Sequence, residues 1–106
     1  MGKTYRIIGR VINRMNRQGI GGLRIEAWDK DMIFNDLLGS ATTDTQGKFL
    51  IVFDESRFKE LFGDDSLDLF IRVFQEGVLI KSTEESVLWN VKDEQTESII
   101  EVDMDV

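Results

Sequence analysis

Residues 23–53 read LRIEAWDKDMIFNDLLGSATTDTQGKFLIVF, and the periods inside this run decide the fold class. Leu23, Ile25 and Ala27 alternate with Arg24, Glu26 and Trp28, the two-residue period of a strand with one face buried. The run from Asp29 to Asp36 is too acidic to continue that strand and reads as a loop. Leu38 to Thr43 predicts a short strand. Asp44-Thr45-Gln46-Gly47 predicts a hairpin turn in which Gly47 takes a positive φ. Lys48 to Phe53 is apolar on both faces, the pattern of a central strand.

The same period extends outward. Tyr5 to Asn13 is rich in β-branched residues, with Gly9 as a bend or bulge. Asn16 to Gly22 punctuates a loop, and its glycines read as hairpin chemistry, since no helix and no phosphate-binding lysine follow. After Phe53 the period changes: Asp54 is a candidate N-cap, Phe58, Leu61 and Phe62 fall at i, i+3 and i+4, and Gly63 stands where a C-cap glycine belongs. These signals predict a short helix over 55–62. Leu67, Leu69, Ile71 and Val73 alternate as a fifth strand, and Glu76-Gly77 turns the chain into a sixth, Val78 to Ser82. Thr83 to Asn90 is irregular, with Val87, Leu88 and Trp89 expected at the edge of the core, and Glu97 to Val102 closes the sheet. The expectation is an all-β, seven-stranded antiparallel Greek-key β-sandwich with one short helix between the fourth and fifth strands.

The chain has 106 residues, which fits one domain over 1–106. It contains no cysteine and no histidine. That removes disulfides, thiolate metal sites, the usual general base near neutral pH and the commonest zinc ligand. The 20 acidic and 13 basic side chains give a net charge of −7, which makes nucleic acid and anionic membranes poor partners. No apolar run is long enough to span a bilayer, and the first residues lack the apolar stretch of a signal peptide. The expected location is therefore cytoplasmic, or exported by a signal-independent route.

Asp29, Asp31, Asn35 and Asp36 crowd the acidic loop, and Asp44 sits in the following turn. Two readings stay open. The carboxylates cap loop amides and end strands, or Asp29, Asp31, Asp36 and Asp44 supply oxygens to a weakly held Ca²⁺. Trp28 lies on the polar parity of its strand, so it is either an exposed anchor for protein or sugar or a covered second-layer residue. Glu84 and Glu85 are adjacent, point apart in an extended chain and read as solvated loop.

The blocks Leu23 to Asp31, Asn35 to Gly39 and Thr43 to Phe49 together resemble the transthyretin-like (prealbumin-like) domains, over roughly residues 5 to 91. The acidic block also resembles one calcium loop of C2 domains, although the loop over 14–22 brings arginines in place of further aspartates. The transthyretin-like resemblance implies a prealbumin-like sandwich. It includes an enzyme branch that hydrolyses 5-hydroxyisourate with histidines, which this chain lacks, so no enzymatic activity and no cofactor are expected. The expected function is a protein-binding adaptor or carrier module, as in bacterial secreted or surface assemblies, with Trp28, Asp29, Asp31, Asn35 and Asp36 as contact residues. Its partner would be another protein, or a second copy paired through edge strands. A weak Ca²⁺- or carbohydrate-binding module is the alternative.

Overall fold

The computed structural model describes residues 3–58 and 66–104. Seven strands form two sheets: β1 (Thr4–Asn13), β2 (Arg24–Asp29), β3 (Asp36–Thr42), β4 (Lys48–Asp54), β5 (Leu69–Gln75), β6 (Val78–Ser82) and β7 (Gln95–Val102). One sheet has the order β4-β1-β7, the other β3-β2-β5-β6. The chain changes sheet between β1 and β2, β3 and β4, β4 and β5, and β6 and β7, the interlayer crossing expected of a Greek-key sandwich.

The core lies between the sheets and is filled by the residues of one parity. Tyr5, Ile7 and Val11 of β1, Ile25 and Ala27 of β2, Phe49, Ile51 and Phe53 of β4, Ile71 and Val73 of β5, and Ile100 and Val102 of β7 all belong to one buried cluster. Full burial of such a side chain contributes about 1.5–3 kcal/mol, so the two-residue alternation in the sequence is also the main energetic statement about the fold. Tyr5, Phe53 and Phe58 close one end, with Tyr5 stacked on Phe53 at 5.5 Å and Phe58 edge-on to both.

Several expectations change. The pairing is antiparallel throughout except between β1 and β7, which run parallel from Arg6↔Gln95 to Asn13↔Val102. A parallel pair needs a crossover of at least about a dozen residues; β1 and β7 are separated by all of 14–94, and the irregular stretch over 83–94 carries the chain from β6 in one sheet to β7 in the other. Strand β4 is an edge, not a central strand: Leu50 and Val52 face solvent on the outer surface of the three-stranded sheet. Gly9 holds continuous register with both neighbours, and the register shifts fall instead at Ala27/Trp28 and Val73/Phe74. Gly9 is small because the Phe49 ring lies over it, where a Cβ would come within 2.3 Å.

Of the helix expected over 55–62, the described part is a 3-10 turn, Glu55–Arg57, capped by the Asp54 carboxylate, which accepts from Ser56 N at 2.8 Å. Leu61, Phe62 and Gly63 lie outside the described residues. Neither Leu88 nor Trp89 is in the core, and Trp89 is 65% exposed. The backbone of Leu88 instead pairs with Leu69, prolonging the edge of β5 beyond the end of β6.

Candidate functional site

The loop between β2 and β3, residues 30–35, is built from its base. Asp29 ends β2, opposite Asp36 on one side and Leu69 on the other. It is 5% exposed, and its Oδ1 accepts from Asp68 N at 2.9 Å. Burial raises its pKa to about 6; the hydrogen bond from Asp68 opposes this, and the charges of Asp68, Asp36 and Asp31 add to it. The next amide, Lys30 N, donates to Asp68 O at 2.7 Å. Asp31 N donates to Asn35 Oδ1 at 3.2 Å, and Met32 N to Asp31 Oδ1 at 2.6 Å. These bonds consume the polar groups that would otherwise solvate the loop.

The tip carries Met32, Ile33 and Phe34, exposed by 99%, 82% and 78%, and Leu37 is exposed beside them at the start of β3. Three consecutive large apolar side chains left in water forgo several kcal/mol of burial. Periodicity missed these residues because the carboxylates around them dominate the reading of the loop. The signal was present as an apolar triplet inside an acidic run.

Beside the loop, the outer face of the four-stranded sheet carries a charged and aromatic cluster. Trp28 stacks on Phe70 at 6.5 Å and donates from Nε1 to Glu26 at 3.1 Å. Arg72 lies over both rings, 4.9 Å from Trp28 and 5.3 Å from Phe70. Glu84 joins the loop to this cluster by accepting from Lys30 Nζ at 2.8 Å and from Arg72 at 3.4 Å, and the hydrogen bond from Lys30 leads the causes that hold its pKa below the usual glutamate value. Glu84 is therefore the anchor of two cations rather than solvated loop. Trp28 is half-buried in this cluster, with Arg72 over its ring.

Strands β2 and β3 bring Asp29 and Asp36 together, and the loop places Asp31 and Asn35 close by. Asp44 is not brought there. It follows the far end of β3, a whole strand from Asp36, or about 25 Å at the rise of an extended chain. It closes its own turn by accepting from Gln46 N and Lys48 N at 2.8 and 2.9 Å, which holds its pKa below the usual aspartate value. Among the described residues no group of three or more acidic side chains is placed to hold a metal ion, and no helix is long and apolar enough to cross a membrane.

No family model matches the chain, and no curated protein matches it. Solved structures do. A 9R-lipoxygenase from Cyanothece PCC8801 superposes with a TM-score of 0.66 at 19% identity over 94% of this chain, which spans only 16% of that enzyme. An alternative pilotin from the type II secretion system of Vibrio cholerae gives 0.56 at 15% identity, over 97% of this chain and all of the pilotin. The dioxygenase domain of a dioxygenase carbohydrate-binding protein fusion from Streptomyces sp. SirexAA-E gives 0.52 at 14% identity, over 100% of this chain and 82% of that one. The chain is a small β-sandwich with the fold of such modules, and at these identities the likeness concerns the fold alone.

Proposed function

We propose that this β-sandwich is a non-enzymatic interaction module that docks on another protein through the β2–β3 loop. The observation that carries the reading is the exposed triplet Met32, Ile33 and Phe34 on a loop whose base is pinned. A pinned base lowers the ordering entropy lost on docking, and apolar side chains at the centre of a contact supply most of its energy. The complementary partner offers an apolar pocket with a basic rim. The exposed Asp31, the half-exposed Asp36 and the chain's net charge of −7 favour it and disfavour an anionic membrane. The absence of histidine and cysteine from the sequence supports a role without catalysis. The transthyretin-like resemblance belongs to this reading, and so does service as an adaptor in a bacterial secreted or surface assembly; the likeness to a secretion-system pilotin makes the latter worth testing.

The test compares wild type with the triple variant M32S/I33S/F34S in capture from the native source, followed by titration of the purified partner. The reading expects at least about a hundredfold weaker binding and a further loss in D31A/D36A. An unchanged partner and affinity would end it. Adsorption of wild type, but not of the variant, to neutral phosphatidylcholine vesicles would reassign the loop to a lipid surface. The Ca²⁺ reading is the weaker one, because Asp44 is committed elsewhere and Asp29 already accepts from Asp68. Calorimetry with millimolar Ca²⁺ checks it separately.

A further inference from the structure

Along one side the two sheets are joined by the short β3–β4 turn, and along the other by the 83–94 connection between β6 and β7. On the first side, β3 passes directly into β4 through the Asp44–Gly47 turn, and Gly39 of β3 lies so near Ile51 of β4 that a Cβ would approach it to 2.9 Å. On the other side, β7 ends the three-stranded sheet, and among the described residues no strand lies beyond it. Between β7 and the layer opposite is a cavity of about 190 Å³. Ile7, Ile71, Thr96 and Ser98 line it from the strands, together with Ser86 and Leu88 of the 83–94 connection. An apolar cavity of about 150 Å³ takes up a molecule as large as benzene, so this one has room for an aliphatic side chain or two.

The backbone of β7 is suited to receive a strand. Arg6 N donates to Glu94 O and Arg14 N to Val102 O. Alternate residues of a strand aim their backbone groups to opposite sides, so the even-numbered residues of β7 serve β1. Gln95, Glu97, Ile99 and Glu101 then present their N–H and C=O groups to the side away from β1. The edge is eight residues long, keeps continuous register with β1, and carries no lysine and no proline. Short length, a broken register, lysine and proline are devices that ordinarily protect a sheet edge. By contrast, β6 has five residues, an exposed Lys81 and a partner strand with a register shift.

Side chains on the outer face of β7 select the occupant. Glu97 and Glu101 flank Ile99, which is 70% exposed. In a symmetric antiparallel pairing of two copies centred on Ile99, Glu97 meets the partner's Glu101, a like-charge opposition that disfavours self-pairing. Asp93 and Glu94 extend the acidic character at the entrance to the strand, with Lys92 as the one cation among residues 92–97.

We propose that β7 is a strand-addition site for an extended, basic segment of another protein, in which cationic residues lie beside Glu97 and Glu101, an apolar residue lies against Ile99, and the alternate side chains enter the cavity between the sheets. Main-chain bonds to the odd residues of β7 supply affinity, and the glutamates and the cavity supply specificity. Glu101 already pairs with Arg17, so Glu97 carries more of the selectivity.

The probe is a synthetic peptide with the core Lys-Val-Ile-Val-Lys, set against its counterpart Glu-Val-Ile-Val-Glu, with amide hydrogen exchange read on isotope-labelled protein. The basic peptide is expected to slow exchange at Glu97, Ile99 and Glu101 by more than about tenfold, leaving the even-numbered amides unchanged, and the acidic peptide to do nothing. Ile99→Pro deletes an outward N–H where proline is tolerated on an edge and abolishes the protection. Glu97→Lys, a surface change that leaves the fold intact, weakens the basic peptide by about tenfold or more. Absence of protection, equal protection by the acidic peptide, or protection that grows with protein concentration alone overturns the proposal, the last in favour of a second copy. No loop residue takes part, so M32S/I33S/F34S is expected to bind the peptide unchanged, which separates this site from the docking loop.

Discussion

The two loops on either side of β2 are solved in opposite ways. The loop over 14–23, between β1 and β2, is stitched into the fold. Asn13 N donates to Gln18 O, Arg17 N to Asn13 O, and Ile20 N to Val11 O, while Thr43 Oγ1 donates to Ile20 O at 2.7 Å and accepts from Leu23 N at 2.9 Å. Its glycines let it press against the 44–47 turn, where a Cβ on Gly19 would stand 1.8 Å from Gln46 O. The loop over 30–35 is tied only at its base and sends its apolar residues outward. A loop that spends its residues on internal bonds is part of the scaffold; one that leaves methionine, isoleucine and phenylalanine in water gives the fold almost none of their burial.

The comparison breaks most severely at Gly47. Its φ is +81°, and a Cβ there would lie 2.3 Å from Val11 O. Gly47→Val meets both a backbone clash and a left-handed conformation that β-branched residues rarely adopt. It is expected to cost more than about 3 kcal/mol, read as a fall in the urea midpoint. A loss under about 1 kcal/mol would mean that the two turns are not locked together. Thr43→Val is next. The side chain is buried, and the change strips the Leu23 amide of its acceptor and Ile20 O of its donor. Urea unfolding is expected to register a loss of about 2 kcal/mol; a neutral result would assign the loop's order to the glycine packing alone.

How much of this could be read locally follows the same division. Strand positions were legible wherever one face is apolar and the other polar, as at 23–28 and 67–73, because period and burial then coincide. At Lys48 to Phe53 both faces are apolar, and period alone cannot distinguish a central strand from an edge with a greasy outer surface. Val87-Leu88-Trp89 has a core composition, yet its place is set by the Leu88–Leu69 bridge, a contact no local window contains. The parallel course of β7 beside β1 is hidden for the same reason. In the candidate site the acidic residues were legible as loop formers, but their roles depend on distant partners. Asp29 answers to Asp68, and Lys30 to Glu84.

Asp29 gives the base of the 30–35 loop a pH dependence. Its folded pKa of about 6 lies above the ordinary 3.8, so its contribution to stability is fully present below about pH 4 and is lost as pH rises through 6. Asp44, Asp54 and Glu84 are shifted downward by their hydrogen bonds. Their contributions are present at neutral pH and are lost on acidification below pH 4. Between pH 4 and 7 the Asp29 effect is isolated by subtracting Asp29→Asn from wild type, since asparagine keeps the acceptor for Asp68 N. Parallel pH profiles for the two proteins would show that the buried carboxylate is already ionised without penalty.

The smallest effect expected on stability is the most informative about function. Met32, Ile33 and Phe34 contribute almost no buried area, so M32S/I33S/F34S is expected to leave the unfolding free energy within about 0.5 kcal/mol of wild type, in contrast to Gly47→Val in the turn that the other loop packs against. A loss of 2 kcal/mol or more, on the order of a cavity in a core, would mean that the tip folds back on the sandwich in solution and that its exposure is not available to a partner. A neutral result leaves three apolar side chains whose presence the fold does not require. On the proposed reading they are contact residues, and the acidic groups around them favour a surface that is electropositive at its rim.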